Sequence, residues 1–133
     1  MQPIHISREE ELMLEPVLSS LSRKAGYTLT LPLLLERWES FVSEVEEGYD
    51  ESIYEYTNDL SVRDLLQIVT DNSPLTLRNK LIGALQVWDE RFDVSTEKSE
   101  CSVLPGKEKP QAWWWFRVPV RPGSELKNDL QLD

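Results

Sequence analysis

The chain has 133 residues, of which 40% are hydrophobic, and it carries a formal net charge of −10 at pH 7. A chain of this size and composition can bury one core without a metal ion or a disulfide, so we expect a single domain. The negative charge disfavours direct binding to nucleic acid or to an anionic membrane, because like charges repel, and it favours a basic protein as partner.

The cysteine content and the short length of the apolar runs predict the cellular compartment of the protein. The single cysteine, Cys101, excludes an internal disulfide, which fits a reducing environment. The first eleven residues, MQPIHISREEE, lack the basic and apolar regions of a signal peptide, and no run approaches the roughly 18 apolar residues of a membrane span. We therefore expect a cytoplasmic protein that neither is exported nor enters a membrane.

The first predicted helix begins near the N-terminus. Ser7 and Glu10 have the spacing of a capping box, in which each side chain satisfies a backbone N–H of the other residue. Pro16 should kink this helix or divide it in two, because proline lacks a backbone N–H. Gly26 is the predicted end.

The second predicted helix has the clearest pattern in the chain. Thr30 can cap it, Pro32 is tolerated in its first turn, and Gly48 marks its end. Its apolar residues recur at steps of three and four, which predicts one buried face. They are Leu31, Leu34, Leu35, Trp38, Phe41, Val42 and Val45.

The segment that follows is ambiguous. Residues 49–58, YDESIYEYTN, are short, aromatic and acidic, and Asp50 could cap a turn or two of helix there. Ser61 with Asp64 repeats the capping pattern, which predicts a separate short helix that stops before Pro74.

A long helix is predicted next, running to about Thr96. Its apolar residues are spaced four apart, and its charges oppose the helix dipole, with cations near the start and carboxylates near the end. Ion pairs with neighbouring helices should neutralise these charges. The apolar residues are Leu77, Leu81, Leu85, Trp88 and Phe92, and the charged ones are Arg78, Lys80, Asp89, Glu90 and Asp93.

The C-terminal third of the chain changes character. Prolines and a glycine predict an exposed loop over 98–110, and AWWWFRVPV predicts an extended segment with Trp113 and Trp115 on one face and Trp114 and Phe116 on the other. The predicted organisation is a helical domain (1–97), the loop (98–110), a Trp-rich extended segment packed on that domain (111–122) and a loose tail (123–133). The fold class is all-α, with four to five helices around one core.

Residues for catalysis are scarce in the sequence. The one histidine, His5, lies close to the start, and Cys101 has no basic neighbour to activate it. One cysteine and one histidine cannot compose a zinc site, and there is no glycine-rich phosphate loop. We predict that the protein is not an enzyme and uses no metal or other cofactor.

The negative charge is concentrated between Trp38 and Val62. This stretch has eight acidic residues and no lysine or arginine, and so carries −8 of the net −10. The acids could simply keep the protein dissolved, with the tyrosines among them in the core, or they could form a binding surface with tyrosine anchors. We predict the latter. The candidate partner-binding residues are Glu47, Asp50, Glu51, Tyr54, Glu55, Tyr56 and Asp59.

The Trp-rich segment also has two interpretations. The rings could complete the core, which we favour, or Trp113, Trp114, Trp115 and Phe116 could form a second contact site. In the second case, the cationic side chains of Arg117 and Arg121 could stack on the exposed indoles.

The residues DESIYEYTND resemble the acidic, tyrosine-bearing helix of colicin nuclease immunity proteins. The chain as a whole is similar in type to the small acidic immunity proteins of bacterial toxin systems, including contact-dependent growth inhibition. In the colicin group the tyrosines are adjacent, whereas Glu55 separates them here. The resemblance implies stoichiometric inhibition of a toxin nuclease, with five residues facing the toxin. These are Glu51, Tyr54, Glu55, Tyr56 and Asp59.

The predicted function is therefore that of a non-catalytic immunity protein that neutralises a basic toxin domain, as a monomer or weak dimer. One alternative is a nucleic-acid-mimicking inhibitor or adaptor of a DNA- or RNA-binding protein. Another is a metal-dependent enzyme with carboxylates inside a helical bundle. Inward carboxylates with perturbed pKa values would favour the enzyme, and outward ones would favour a binding protein.

Overall fold

The computed structural model describes residues 4–103 and 112–130. Four long helices pack around the core, followed by a small two-stranded sheet and a short fifth helix, and the predicted all-α fold is confirmed. None of the described helices is long and apolar enough to cross a membrane. The elements are α1 (Arg8–Ala25), α2 (Leu31–Glu47), α3 (Ile53–Asp71), α4 (Leu75–Val94), β1 (Thr96–Lys98), a 3-10 helix (Trp113–Phe116), β2 (Arg117–Pro119) and α5 (Ser124–Asp129).

Helix α1 begins with the predicted capping box and ends at Gly26, whose φ of 82° is left-handed. Of the two outcomes predicted at Pro16, the division into two helices is wrong, because α1 is a single helix with the proline inside it. Pro16 is exposed, and the buried residues Leu14 and Leu21 on either side hold both halves against the core. Packing therefore outweighs the backbone hydrogen bond that the proline cannot make.

Helix α2 matches its prediction closely. The Thr30 hydroxyl accepts a hydrogen bond from the backbone N–H of Leu33, and all seven predicted apolar residues are buried. The helix ends at Gly48, whose φ of 127° is a conformation that L side chains rarely adopt.

Helix α3 is one continuous helix, so the prediction of two separate pieces is wrong. Its cap is Ser52, whose hydroxyl accepts from the backbone N–H of Glu55, and neither Asp50 nor Ser61 caps a helix. The reason is packing, because Tyr56 and Leu60 are buried and extend the apolar face of α3 to its first turns.

Helix α4 has the predicted buried stripe, and four of its five charged residues named above have partners on other elements. Arg78 donates to the carbonyls of Thr70 and Asp71 at the end of α3, where the helix dipole is negative, and to that of Ser73 just beyond it. The predicted neutralisation is thus confirmed for four of the five charged residues, whereas Glu90 accepts only from the Gln86 amide of the same helix and forms no ion pair among the described residues. The ion pairs are Lys80–Glu10 at 3.1 Å, Asp89–Arg63 at 2.9 Å and Asp93–Arg117 at 3.3 Å.

The Trp-rich segment is not extended as predicted. Trp113–Phe116 form a 3-10 helix, and only Arg117–Pro119 form a strand, which pairs antiparallel with β1. Trp114 and Trp115 are both buried, whereas an extended chain would have placed them on opposite faces. Asp64 of α3 overrides the local preference by accepting hydrogen bonds from both indoles.

The loop and the tail are also more ordered than predicted in their described parts. Lys98 belongs to β1 and Val103 is buried, so 98–103 is not simply an exposed loop. After Pro122 the chain forms α5, whose Leu126 is fully buried. The rest of the predicted loop (104–110), together with residue 111, and the last residues of the tail (131–133) lie outside the described residues.

Candidate partner-binding surface

Four carboxylates meet where the end of α2 lies beside the first turns of α3, and we call them the acidic cluster. Electrostatic interactions couple Glu44 to Asp59 and Glu51, and couple Asp59 to Glu55 as well. Three members were predicted, whereas Glu44 was not, because only the packing of α2 against α3 brings it there. The cluster consists of Glu44, Glu51, Glu55 and Asp59.

The acidic cluster carries charge that is not neutralised locally. Burial, and then repulsion by Asp59 and Glu51, raise the pKa of Glu44. Burial is also the largest cause that raises the pKa of Asp59, with repulsion by Glu55 and Glu51 adding to it. Within the described part of the chain, no member of the cluster forms an ion pair.

Glu46 lies on the same helix as Glu44 but, unlike the acidic cluster, is neutralised by a cation. It forms an ion pair with Arg91 of α4, and the hydrogen bond from that guanidinium lowers the pKa of Glu46. The charge of Arg37 only partly offsets the rise in the pKa of Asp59, and the Arg37 guanidinium donates to the hydroxyl of Tyr27 at 2.7 Å instead of pairing with the cluster. Cations therefore neutralise the neighbouring acid but not the cluster.

A buried tyrosine holds Asp59 in place. The Tyr49 hydroxyl donates to the Asp59 carboxylate at 2.8 Å, while its ring packs edge-on against Phe41 and Tyr56. Burial, followed by the hydrogen bond and the charge of Asp59, raises the pKa of Tyr49 far above its ordinary value. Tyr49 therefore stays protonated and acts as a fixed donor.

The C-terminal segment fixes the chain between α2 and α3. The backbone N–H of Tyr49 donates to the carbonyl of Arg121, and the N–H of Gly123 donates to the carbonyl of Tyr49. The Asp129 carboxylate accepts from the N–H of Ile53 in the first turn of α3. This role was not predicted, although the spacing of Leu126 and Leu130, four apart, is a signal for a short docked helix.

The two candidate tyrosines have opposite environments. Tyr54 is 82% exposed, whereas Tyr56 is fully buried and donates its hydroxyl to the carbonyl of Arg117 at 2.7 Å. Tyr56 is therefore a core residue and is not available to a partner. Glu47 and Asp50 are exposed, and Asp50 lies against Gly123.

No protein family, curated protein or solved structure matches this chain.

The secondary candidate site contains one exposed indole. Trp114 and Trp115 are buried and Phe116 is partly buried, so the aromatic segment belongs mainly to the core, as we favoured. Trp113 remains 43% exposed.

The cations that stack on indoles are not the expected ones. Arg63 lies over Trp114 at 4.5 Å and Arg91 lies over Trp88 at 4.0 Å. Arg117 instead bonds to Thr96 and to the carbonyl of Asp93.

The inward carboxylates are engaged by fixed donors. Asp64 accepts from two indoles, and Asp89 accepts from Trp38 and the buried Arg63. Hydrogen bonds from the Ser7 backbone, and then from Thr76 and Lys80, lower the pKa of Glu10 to about 2. Among the described residues, no group of three or more potential metal ligands is placed to hold an ion.

Proposed function

We propose that this chain is a non-catalytic binding protein that uses the acidic cluster to capture a basic partner protein. The observation that carries the proposal is the contrast in charge pairing. The inward carboxylates Glu10 and Asp89 have cationic partners. In the acidic cluster, by contrast, Glu44 and Asp59 are each repelled by other members, and no member forms an ion pair in the described structure. Such an arrangement costs stability, and a cationic partner would relieve it.

The surroundings of the cluster fit a protein interface. Tyr54 offers a large exposed ring next to Glu55, and aromatic residues often anchor interfaces where carboxylates steer the approach. A protein that binds nucleic acid presents cations to the phosphate backbone, and an acidic surface can cover those cations. We therefore propose a nuclease toxin domain as the partner and neutralisation in the bacterial cytoplasm as the role, in keeping with the resemblance to immunity proteins.

The proposal is tested by affinity capture from the native host with three baits. They are the wild type, Glu51→Lys/Glu55→Lys, and the control Glu11→Lys/Glu15→Lys. Both variants reverse two exposed acids four residues apart and change the net charge equally, but the control pair lies on α1, outside the cluster. A basic protein retained by wild type and control but lost from the cluster variant is the expected result. Equal retention by all three baits would contradict the proposal.

A further inference from the structure

A second surface lies in a groove between α3 and α4, which we call the Trp113 groove. Gln67 and Thr70 of α3, Ile82 and Glu90 of α4, and Trp113 line a cavity of about 460 Å³. None of these residues belongs to the acidic cluster. The groove combines an exposed aromatic ring, an exposed aliphatic side chain and a carboxylate.

Trp113 is held in position although its ring is exposed. It packs against Phe92 with ring centroids 6.0 Å apart and against Trp114 at 5.7 Å. Its exposed ring is thus backed by the core, so little conformational entropy would be lost when a ligand stacks on it. Ile82 adds a half-exposed apolar wall to the same groove.

The charges of the groove leave one carboxylate for a ligand. Arg63 lines the groove, but Asp89 engages its guanidinium at 2.9 and 3.0 Å, so its charge is neutralised. Asp93 is paired with Arg117. Glu90, by contrast, accepts from the neutral amide of Gln86 at 3.3 Å, and it has no ion pair among the described residues.

We propose that the Trp113 groove binds an arginine side chain from a basic protein partner. The guanidinium would stack on Trp113 and pair with Glu90, while its aliphatic stem would pack on Ile82. Arginine fits better than lysine because its planar guanidinium stacks on an indole and forms directed hydrogen bonds. The inference rests on the proposed function only for the basic character of the partner, and its test needs no partner.

The test is an NMR titration of the whole labelled protein with an acetylated, amidated Leu-Arg-Leu peptide. The control peptide replaces arginine by citrulline, which has nearly the same shape and no charge. Saturable shifts are expected at the Trp113 indole and the Gln67 side-chain amide. The citrulline peptide should bind roughly fivefold more weakly or worse. Equal binding of both peptides, or no saturable shift in the groove, would overturn the inference.

Two variants assign the interaction to named groups. Glu90→Gln and Trp113→Leu should each weaken arginine-peptide binding about as much as citrulline does. Glu97→Gln, at an exposed residue of β1 outside the groove, should leave binding unchanged. Circular dichroism checks that each variant is folded, and Glu90→Gln still decides the question if Trp113→Leu unfolds. If folded Glu90→Gln binds the arginine peptide as tightly as the wild type does, the proposed pairing of arginine with Glu90 is overturned.

The outcomes separate this inference from the proposed function. Shifts confined to Glu51 and Glu55 would refute the groove and leave the acidic cluster standing. Shifts in the groove, combined with equal capture of partners by all three baits, would refute the role of the cluster and support the groove.

Discussion

Trp115 donates its indole N–H to both carboxylate oxygens of Asp64, at 3.0 and 3.1 Å. Trp114 donates to one of the same oxygens at 2.8 Å. One carboxylate of α3 therefore satisfies two buried indoles and fixes the C-terminal part of the chain to the helical core.

Removal of this carboxylate should be costly. Asp64→Ala leaves the buried donors of Trp114 and Trp115 unsatisfied, so we expect a loss of about 2 kcal/mol or more in the free energy of unfolding. Asp64→Asn keeps one oxygen acceptor and should lose less. The control Asp71→Ala, at an exposed position of the same helix, should change stability by about 0.5 kcal/mol or less. Urea denaturation measures all three, and equal effects of Asp64→Ala and Asp71→Ala would contradict the assignment.

Substitution of the two tyrosines of α3 should have opposite effects on stability. Tyr54→Ala should leave stability within about 0.5 kcal/mol of wild type, because the ring is exposed. Tyr56→Ala should cost about 3–5 kcal/mol through the cavity it leaves, and Tyr56→Phe about 1 kcal/mol through the lost bond to Arg117. Denaturation curves check the order, and a stable Tyr56→Ala protein would show that this ring is not part of the core.

Two glycines in different surroundings should respond oppositely to alanine. A Cβ on Gly123 would overlap the Asp50 carboxylate and lie 2.7 Å from the Asp50 Cα, so Gly123→Ala should destabilise the fold by about 1–3 kcal/mol. Gly83 lies inside α4 with open space around it, so Gly83→Ala should stabilise by about 0.5–1 kcal/mol. Thermal and urea denaturation test both, and a neutral Gly123→Ala would rule out the close approach to Asp50.

The acidic cluster should make stability depend on pH in a defined direction. Glu44 and Asp59 have raised pKa values in the folded protein, so they bind protons more tightly there than in the unfolded chain. Their unfavourable contribution is therefore present at neutral pH and disappears as pH falls through the raised pKa values to the unfolded ones, about 4.

Neutral replacements isolate this contribution. Glu44→Gln/Asp59→Asn should unfold at higher urea concentration than wild type at pH 7, and the advantage should vanish near pH 4. The carboxamide introduced by Asp59→Asn would still offer an oxygen to the Tyr49 hydroxyl. Glu11→Gln/Glu15→Gln serves as control, with an expected change of about 0.5 kcal/mol or less. A cluster variant less stable than wild type at pH 7 would contradict the proposed repulsion.

The sequence was most informative where local signals agreed with one another. In α1 and α2, caps at Ser7 and Thr30 coincide with apolar periodicity, so the start of each helix could be predicted. In α3 several residues could serve as cap, and only the burial of Tyr56 in the tertiary core decides for Ser52. Local patterns cannot rank equivalent caps when a distant packing partner makes the choice.

The candidate site, too, could be predicted only in part from the sequence. The excess of acids in one stretch predicted where charge would concentrate, because charge can be read directly from sequence. The role of Tyr56 could not be predicted, since its hydroxyl partner is the carbonyl of Arg117, sixty-one residues away along the chain. The membership of Glu44 in the acidic cluster could not be predicted either, because it depends on how α2 packs against α3.

The most direct test of the central claim is the association rate of the captured partner, measured by stopped flow at low and at physiological salt. Glu51→Lys/Glu55→Lys should slow association by about tenfold or more at low salt, and the difference should shrink as the Debye length falls to about 8 Å. The equally charged control Glu11→Lys/Glu15→Lys should be slowed much less. Equal rates for the two variants at every salt concentration would show that the acidic cluster does not guide the partner.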